Sequence, residues 1–263
     1  MARAIYGGLL DNGFSATNLS VVDPSAAAQD NARRAGIEHI FDSAPGEALL
    51  ADLIVLAIKP QITKAALQPL AGQLGTHSLV LSIVAGINAE SLASLLGLSN
   101  TGHIIRCMPN TPALVGEGMT GLYASTEAGS AEGKALAERV MSSVGQCVWV
   151  ENESDLDVVT AISGSGPAYF FLFIESLTDA AIALGMNGES ARKLALQTAL
   201  GASRLASLSS EDAATLRKNV TSPGGTTEQA IQAFEAADIR GIVAQATQAA
   251  ARRSLELSKE FGA

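Results

Sequence analysis

The chain has 263 residues, of which 48% are hydrophobic, 16% charged and only 4% aromatic. Small and aliphatic side chains in this proportion suit helices packed on a parallel sheet or on each other. The formal net charge is −9 and no run of Lys or Arg occurs, which argues against a nucleic-acid surface or an anionic-membrane surface. Cys107 and Cys147 lie far apart without metal-like neighbours, which predicts no disulfide framework, no metal site and a reducing, cytoplasmic setting.

The first half of the chain predicts alternating helices and strands. The opening segment MARAIYGGLL has apolar residues at helical spacing, and a glycine inside a helix is favoured only where another backbone passes close by. The predicted strands are LSVVDPS, DLIVLAIKP, SLVLSIVAG, HIIRCMPNTP and QCVWVE, and the helices between them are AAAQDNARRAG, QITKAALQPLAGQLG, NAESLASLLG and AEGKALAERVMSSVG. DLIVLAIKP and SLVLSIVAG are continuously apolar, which predicts burial on both faces. The alternation predicts a doubly wound, mainly parallel sheet over residues 1–150.

From residue 151 to residue 263 the pattern predicts a second domain that is entirely helical. Its segments are ESDLDVVTAISGS, GPAYFFLFIESLTDAAIALGM, GESARKLALQTALGASRLASL, SEDAATLRKNV, TTEQAIQAFEAADI and GIVAQATQAAARRSLELSKEF. Ala168–Met186 is apolar around most of its circumference, more than one surface helix can bury, so we expect an obligate dimer. Glu175 and Asp179 interrupt this stretch and favour a buried helix over a membrane span.

The segment NVTSPGGTTEQAIQAFE combines a tight turn with a helix start. Thr226 and Gln229 have the spacing of a capping box, and two glycines let a ligand approach the backbone. The unpaired N–H groups at the helix start suit a carboxylate or phosphate. An ordinary capped helix after a turn explains the same residues, so both interpretations stay open.

The segment ISGSGPAYFF places small residues before a helix that begins near Pro167. Neither Ser163 nor Ser165 has the flanking glycines of a nucleophile elbow, so close approach of two helices is favoured over a nucleophilic serine. The turns AIKPQ, SIVAG and CMPNTP follow three strands and predict a crevice at the carboxyl edge of the sheet, where α/β proteins bind ligands. For Lys59 alone, a solvent-exposed lysine is the simpler interpretation.

VLAIKPQ, RCMPNTPALVGEG, VTAISGSGPAYFF and above all NVTSPGGTTEQAI resemble pyrroline-5-carboxylate reductases, in order and over essentially the whole chain. The resemblance implies a Rossmann-type domain followed by an all-helical dimerisation domain. It also implies transfer of a hydride from NADPH or NADH to the ring C=N bond of 1-pyrroline-5-carboxylate, which gives L-proline. The partners it implies are this small molecule and a second copy of the chain, as a homodimer or a higher homo-oligomer, with no nucleic acid and no membrane.

The resemblance also implies site residues. The cofactor contacts are Ala57, Ile58, Lys59, Pro60, Ala85 and Asn219. The substrate carboxylate is expected on backbone N–H groups around Gly225, Thr226 and Thr227, with the Thr227 hydroxyl as the catalytic hydrogen bond to the ring nitrogen. The far wall of the pocket is expected from Thr160, Ser163, Gly164, Ser165 and Gly166.

Relative to this family, Met1 and Ala2 match the end of a Gly-x-Gly-x-x-Ala turn, so the first strand and both turn glycines are expected to be missing. That strand would be central in the sheet, and its turn would bind the pyrophosphate. We therefore expect weaker NADPH binding and lower stability than in a chain with this segment restored. Asp23 after the second family strand can accept from a ribose 2′-OH, and the choice between NADPH and NADH stays open.

Two other functions are compatible with parts of the pattern. A 3-hydroxyacid dehydrogenase of similar build would need a catalytic lysine on a helix of the second domain, for which Lys193 and Lys218 are the candidates. A chain that only dimerises, or only binds proline-like carboxylates, would need no cofactor. Turnover with a hydroxy acid distinguishes the first, and titration with NADPH distinguishes the second.

Overall fold

The structure, a computed structural model, describes residues 1–75, 77–125 and 130–261. The chain forms two compact units, of which the first comprises Met1–Ser165 and Ala250–Ala263 and the second comprises Gly166–Ala249. The predicted boundary at residue 151 follows the last strand. By compactness, residues 151–165 and the end of the chain belong with the sheet.

The first unit contains all the strands that the structure describes. These are β1 (Ser20–Val22), β2 (His39–Phe41), β3 (Leu53–Leu56), β4 (Leu79–Ser82), β5 (Ile104–Met108), β6 (Gly118–Ala124) and β7 (Gly145–Trp149). Its helices are α1 (Ala2–Asp11), α2 (Ala26–Arg34), α3 (Pro60–Leu67), α4 (Ala89–Leu96), α5 (Ala131–Ser142) and α6 (Asp155–Val159). A π-helical turn, Thr160–Gly164, follows α6 directly.

The strands form a two-stranded sheet, β1-β2, and a five-stranded sheet in the order β3-β4-β5-β6-β7. All pairs are parallel except β5 with β6, so the prediction of a mainly parallel α/β sheet is confirmed. Among the described residues, β1 pairs only with β2 and β3 only with β4, so each has an unpaired edge.

Helix α1 packs on the sheet through Ala4, Ile5 and Leu9, which are buried in the main hydrophobic core. A Cβ atom on Gly8 would lie 2.5 Å from the Ser143 carbonyl oxygen. The close backbone approach that the sequence suggests is therefore confirmed at Gly8. Gly7 has open space instead, so no contact requires a glycine there.

Burial differs between the two continuously apolar strands. All four residues of β4 are buried, as predicted. In β3 only Leu56 is buried and the other three residues are half-buried, so the prediction of burial on both faces is wrong there. The reason is topological, because β4 has neighbours on both sides whereas β3 is an edge strand.

Two strands were not predicted from the sequence, β2 and β6. Strand β2 has only three residues and lacks a sustained apolar run. Strand β6 contains Gly118 and Gly121, which weaken a strand pattern. A Cβ atom on Gly121 would lie 2.7 Å from a methyl group of Val159, and one on Gly118 would lie 2.7 Å from the Val144 carbonyl oxygen. Both glycines therefore allow close packing, which hydrophobic alternation does not reveal.

The second unit is helical, as predicted. Its helices are α7 (Gly166–Ala183), α8 (Gly188–Leu208), α9 (Ala213–Asn219) and α10 (Thr226–Ala236), and α11 (Ile239–Phe261) begins in this unit and ends in the first. The apolar face of α7 is not buried within the chain, since Phe170, Phe171 and Leu172 are each more than 60% exposed. Burial of this helix is therefore not achieved within the single chain and would have to come from the predicted dimer.

The helical stretch Asp155–Ala183 is long and apolar enough to cross a membrane by length and composition. Core helices of soluble proteins pass the same test, so this observation is weak evidence for a membrane span. The exposed apolar side chains of this stretch would also allow it to pack against a helix of a partner.

Glu153 joins three elements of the first unit. Its Oε1 atom accepts hydrogen bonds from Arg106 Nη1 on β5, at 2.9 Å, and from the Ala89 backbone N–H at the start of α4, at 2.7 Å. Glu153→Ala should lower the free energy of unfolding by about 2 kcal/mol, because Arg106 is left largely buried without its carboxylate. Urea unfolding at fixed protein concentration measures this, with exposed Glu151→Ala as the control. Equal stability of the two variants would contradict the assignment.

Candidate functional site

The turn before α10 is held by two hydrogen bonds. The Gly225 N–H donates to the Ser222 carbonyl at 3.0 Å, and the Gly224 N–H donates to the Glu228 carboxylate at 2.8 Å. Gly224 has φ +73°, a left-handed conformation that favours glycine. The turn is therefore fixed by its own backbone and by a glutamate from the first turn of the helix.

Helix α10 begins one residue earlier than the capping box predicts. Gly225 is the N-cap and Thr226 is the first helical residue, with no side-chain capping bond at the N-cap. The predicted pairing of Thr226 with Gln229 is therefore wrong. Glu228 instead occupies the third helical position and reaches back to the turn, as the glutamate of a capping box does.

The first turn of α10 leaves three backbone donors available. In the part of the chain that the structure describes, the N–H groups of Thr226, Thr227 and Glu228 have no hydrogen-bond partner. The Gly225 N–H is already engaged with Ser222. These donors lie next to one another at the positive end of a helix, an arrangement that suits binding of a carboxylate or a phosphate.

The Thr227 hydroxyl is also without a partner among the described residues, and the residue is half-buried. Threonines and serines inside helices usually donate to the carbonyl four residues earlier. Thr178 and Thr247 in the second unit do so. At Thr227 the fourth residue back is Pro223 in the turn, so the hydroxyl remains available to a ligand.

Two further contacts lie within the second unit. The rings of Phe173 on α7 and Phe234 on α10 pack with centroids 6.1 Å apart. At the end of α9, the Asn219 amide N–H donates to the Glu211 carboxylate at 2.9 Å. That bond orients the Asn219 side chain and leaves its Oδ1 atom to accept from a ligand.

The predicted small-residue segment forms the π-helical turn Thr160–Gly164, closed by a bond from the Ser165 N–H to the Thr160 carbonyl at 2.8 Å. The hydroxyls of Thr160 and Ser163 donate to the carbonyls of Leu156 and Val159. Neither bond is to a base, so the structure gives no activated serine nucleophile here. Single π turns of this kind occur often at functional sites.

Three parallel strands, β3, β4 and β5, end at the same edge of the sheet. The segment after β3 contains Ala57, Ile58, Lys59 and Pro60, and the segment after β4 contains Ala85. Pro60 is the first residue of α3, and Lys59 is exposed without an ion pair among the described residues. The carboxyl edge of the sheet, with Lys59 as a positive charge without an ion pair among the described residues, suits a dinucleotide. Such a cofactor needs a crevice and a positive charge near its phosphates.

Two further polar groups lie in the first unit. Asp23, after β1, accepts a hydrogen bond from the Ser25 N–H at 2.8 Å through Oδ1, so Oδ2 remains available for a ribose hydroxyl. Cys107 on β5 is buried, and its thiol donates to the Ser82 carbonyl at 3.4 Å. Burial raises the pKa of the Cys107 thiol, which keeps it protonated and unreactive.

The predicted site residues are thus divided between the two units. The first unit holds the strand-edge residues and the π-helical turn through Ser165, and the second holds Gly166, Asn219 and the start of α10. Sequence reasoning missed Asn110 and Met108, which contact the π-helical turn. Both lie in the quoted segment RCMPNTPALVGEG, but nothing in the spacing indicates which of its side chains turns inward.

Comparison with known proteins places these features in context. Residues 153–257 match the family model described as pyrroline-5-carboxylate reductase dimerisation. The chain is 44% identical to a pyrroline-5-carboxylate reductase of Pseudomonas aeruginosa, over 100% of this chain and 95% of the relative. It is 34% identical to one of Arabidopsis thaliana, over 98% and 92% of the two chains.

Solved structures give the same picture. A pyrroline-5-carboxylate reductase of Coxiella burnetii superposes with a TM-score of 0.90 at 39% identity, covering 98% of this chain and 94% of the other. The Plasmodium falciparum enzyme, solved with NADP bound, gives 0.83 at 31% identity, with 97% and 93% covered. A Mycobacterium tuberculosis 3-hydroxyisobutyrate dehydrogenase gives only 0.50 at 13% identity, which reflects a shared fold alone.

Proposed function

The chain belongs to the pyrroline-5-carboxylate reductase family, and we propose that its reaction uses the carboxyl edge of the sheet to bind the dinucleotide and the start of α10 to bind the substrate carboxylate. The reaction is the NAD(P)H-dependent reduction of 1-pyrroline-5-carboxylate to L-proline in proline biosynthesis. The observation that carries the proposed placement is the set of unpaired donors at the start of α10. Three backbone N–H groups and the Thr227 hydroxyl are available there together.

The residues of the chain bind and orient the reactants. The N–H groups of Thr226 and Thr227, with the backbone at Gly225, hold the substrate carboxylate at the positive end of α10. The Thr227 hydroxyl hydrogen-bonds the ring nitrogen and fixes the orientation of the C=N bond. Thr160 and Ser163–Gly166 cover the ring and exclude water.

The cofactor side of the site uses the strand-edge residues. Ala57–Pro60 and Ala85 contact the dinucleotide, with Lys59 as the countercharge and Asn219 as a further hydrogen-bonding group. When bound, the nicotinamide supplies the hydride that the imine carbon accepts. The ring nitrogen must gain a proton to become the N–H group of proline. If the imine nitrogen is already protonated when the substrate binds, the chain does not have to supply an acid.

Assembly and location follow from the helical region. The dimerisation match over residues 153–257 indicates a homo-oligomer, and the exposed apolar face of α7 favours a homodimer. A dimer that covers this face is soluble and suits a cytoplasmic enzyme. The hydroxyacid dehydrogenase alternative lacks comparable support, because its catalytic lysine would have to be Lys193 or Lys218, both exposed on helices of the second unit.

Thr227→Val tests the hydrogen bond to the ring nitrogen, because valine keeps the shape of threonine and replaces the hydroxyl with a methyl group. We expect kcat/KM for 1-pyrroline-5-carboxylate to fall about tenfold or more and the Kd for NADPH to stay unchanged, since a hydrogen bond to a charged group contributes about 1.5–3 kcal/mol. Thr227→Ser should retain most of the activity. Wild-type kinetics in Thr227→Val would contradict this role.

A further inference from the structure

Asn110 joins three parts of the first unit through one buried side chain. It follows β5 and is only 8% exposed. Its Nδ2 group donates to the Ser163 carbonyl in the π-helical turn at 3.0 Å, and its Oδ1 atom accepts from the Met119 N–H on β6 at 2.9 Å. The amide therefore links the carboxyl end of β5 to the turn and to the neighbouring strand.

The Ser163 carbonyl lacks its usual α-helical donor. In a continuous α-helix the carbonyl of residue 163 would accept from the N–H of residue 167. That residue is Pro167, which has no N–H. The Asn110 side chain donates to this carbonyl in place of the N–H that Pro167 lacks.

A second contact holds the same turn against the same strand. A Cβ atom added to Gly164 would lie 2.8 Å from the terminal methyl group of Met108, the last residue of β5. A side chain at residue 164 would require the flexible end of the Met108 side chain to shift. The turn is thus seated on the end of β5 by a hydrogen bond at Ser163 and by a close contact at Gly164.

We propose that Asn110 is a positioning residue that sets the placement of the π-helical turn, and through it the affinity for the substrate ring. The proposal rests on the proposed function, in which this turn forms one wall of the substrate pocket. Asn110 acts through Ser163 and Gly164. Its loss should therefore affect binding of 1-pyrroline-5-carboxylate much more than binding of the dinucleotide.

Asn110→Asp is the decisive variant. Its carboxylate can still accept from the Met119 N–H, but it brings an acceptor oxygen instead of a donor to the Ser163 carbonyl. We expect the KM for 1-pyrroline-5-carboxylate to rise about fivefold or more and the KM for NADPH to change less than about twofold. Steady-state kinetics with each reactant varied in turn give both values.

Ser78→Ala is the matched control for a merely structural effect. The Ser78 hydroxyl is also buried and donates to the Leu49 and Ala51 carbonyls, but it precedes β4 at the opposite edge of the sheet. This variant should lower the melting temperature and leave both KM values unchanged. If Asn110→Asp raises both KM values equally, or raises neither, the positioning role is overturned.

A second pair of variants keeps the test valid if Asn110→Asp does not fold. Gly164→Ala should raise the KM for 1-pyrroline-5-carboxylate, and adding Met108→Ala should restore it by removing the colliding methyl group. No rise in Gly164→Ala, or no recovery in the double variant, overturns the seating of the turn on β5. Absence of proline formation by the wild-type chain would instead refute the proposed function.

Discussion

Removing the carboxylate from the substrate is expected to lower kcat/KM by about a hundredfold or more. The measurement compares kcat/KM for 1-pyrroline with kcat/KM for 1-pyrroline-5-carboxylate. The N–H groups of Thr226, Thr227 and Glu228 have no hydrogen-bond partner within the described chain. They lie at the N-terminus of α10, which is the positive end of the helix dipole. Hydrogen bonds to a charged group contribute about 1.5–3 kcal/mol each, and about 1.4 kcal/mol corresponds to tenfold. Two such bonds therefore account for a hundredfold.

A variant of the chain tests the same contact from the protein side. Thr226→Pro removes one donor N–H, and proline is well tolerated at the first position of a helix. Gly225 before it has φ −82° and ψ 170°, an extended conformation that a following proline allows. We expect the KM for 1-pyrroline-5-carboxylate to rise about tenfold and turnover of 1-pyrroline to stay unchanged.

Gly188→Pro is the matched control, because Gly188 is the first residue of α8 and also follows an extended N-cap residue. It places the same substitution at the same position of another helix, so any general effect of proline on helix starts appears in both variants. Equal KM increases in the two variants, or an equal loss with both substrates in Thr226→Pro, would contradict carboxylate binding at α10.

Phe171→Glu is expected to convert the assembled protein into a monomer at micromolar concentration. Phe171 is 64% exposed on α7, and its neighbours Phe170 and Leu172 are similarly exposed. Burying a charge among apolar side chains of a partner without a counter-ion costs several kcal/mol. Light scattering across a dilution series measures the change in mass.

Phe171→Leu is the control for this variant, because it keeps the residue apolar and should keep the assembly. Circular dichroism should show that the helices of the Glu variant persist. A Phe171→Glu protein that keeps the wild-type mass, or a wild-type protein that is a monodisperse monomer, would contradict the proposed dimer through α7.

The parts of the fold that were predicted correctly depend on local chemistry. Asn88 caps α4 by accepting from the Ser91 N–H, and Gly97 ends that helix with φ +68°. Helix α3 ends at Leu67, and Pro69 lies in the 3₁₀ turn Gln68–Leu70 that follows it, as expected where a proline cannot continue a helix. Caps, prolines and apolar periodicity act within a few residues, so the sequence expresses them directly.

The parts that were missed depend on contacts between distant segments. Strand β6 is glycine-rich because Val144 and Val159 pack against its backbone, and neither lies near it in sequence. The exposed edge of β3 follows from which strands pair, not from its own apolar residues. Asn110 and Ser163 are 53 residues apart, so their hydrogen bond has no local signal.

The candidate site shows the same division. The free donors at the start of α10 could be predicted from the Pro-Gly-Gly turn before a helix, although the helix begins one residue earlier than expected. The π-helical turn could not, because small residues in a helical segment predict close packing without predicting a change of helical pitch. The roles of these residues in catalysis stay predictions until the variants are measured.

The most direct test of the central claim is the product formed by the purified chain. With 1-pyrroline-5-carboxylate and NADPH or NADH, we expect L-proline to appear in a one-to-one ratio with the oxidised cofactor. We also expect the rate to fall in Thr227→Val and Thr226→Pro. Cofactor oxidation without proline, or turnover of a 3-hydroxy acid in place of the imine, would contradict the account.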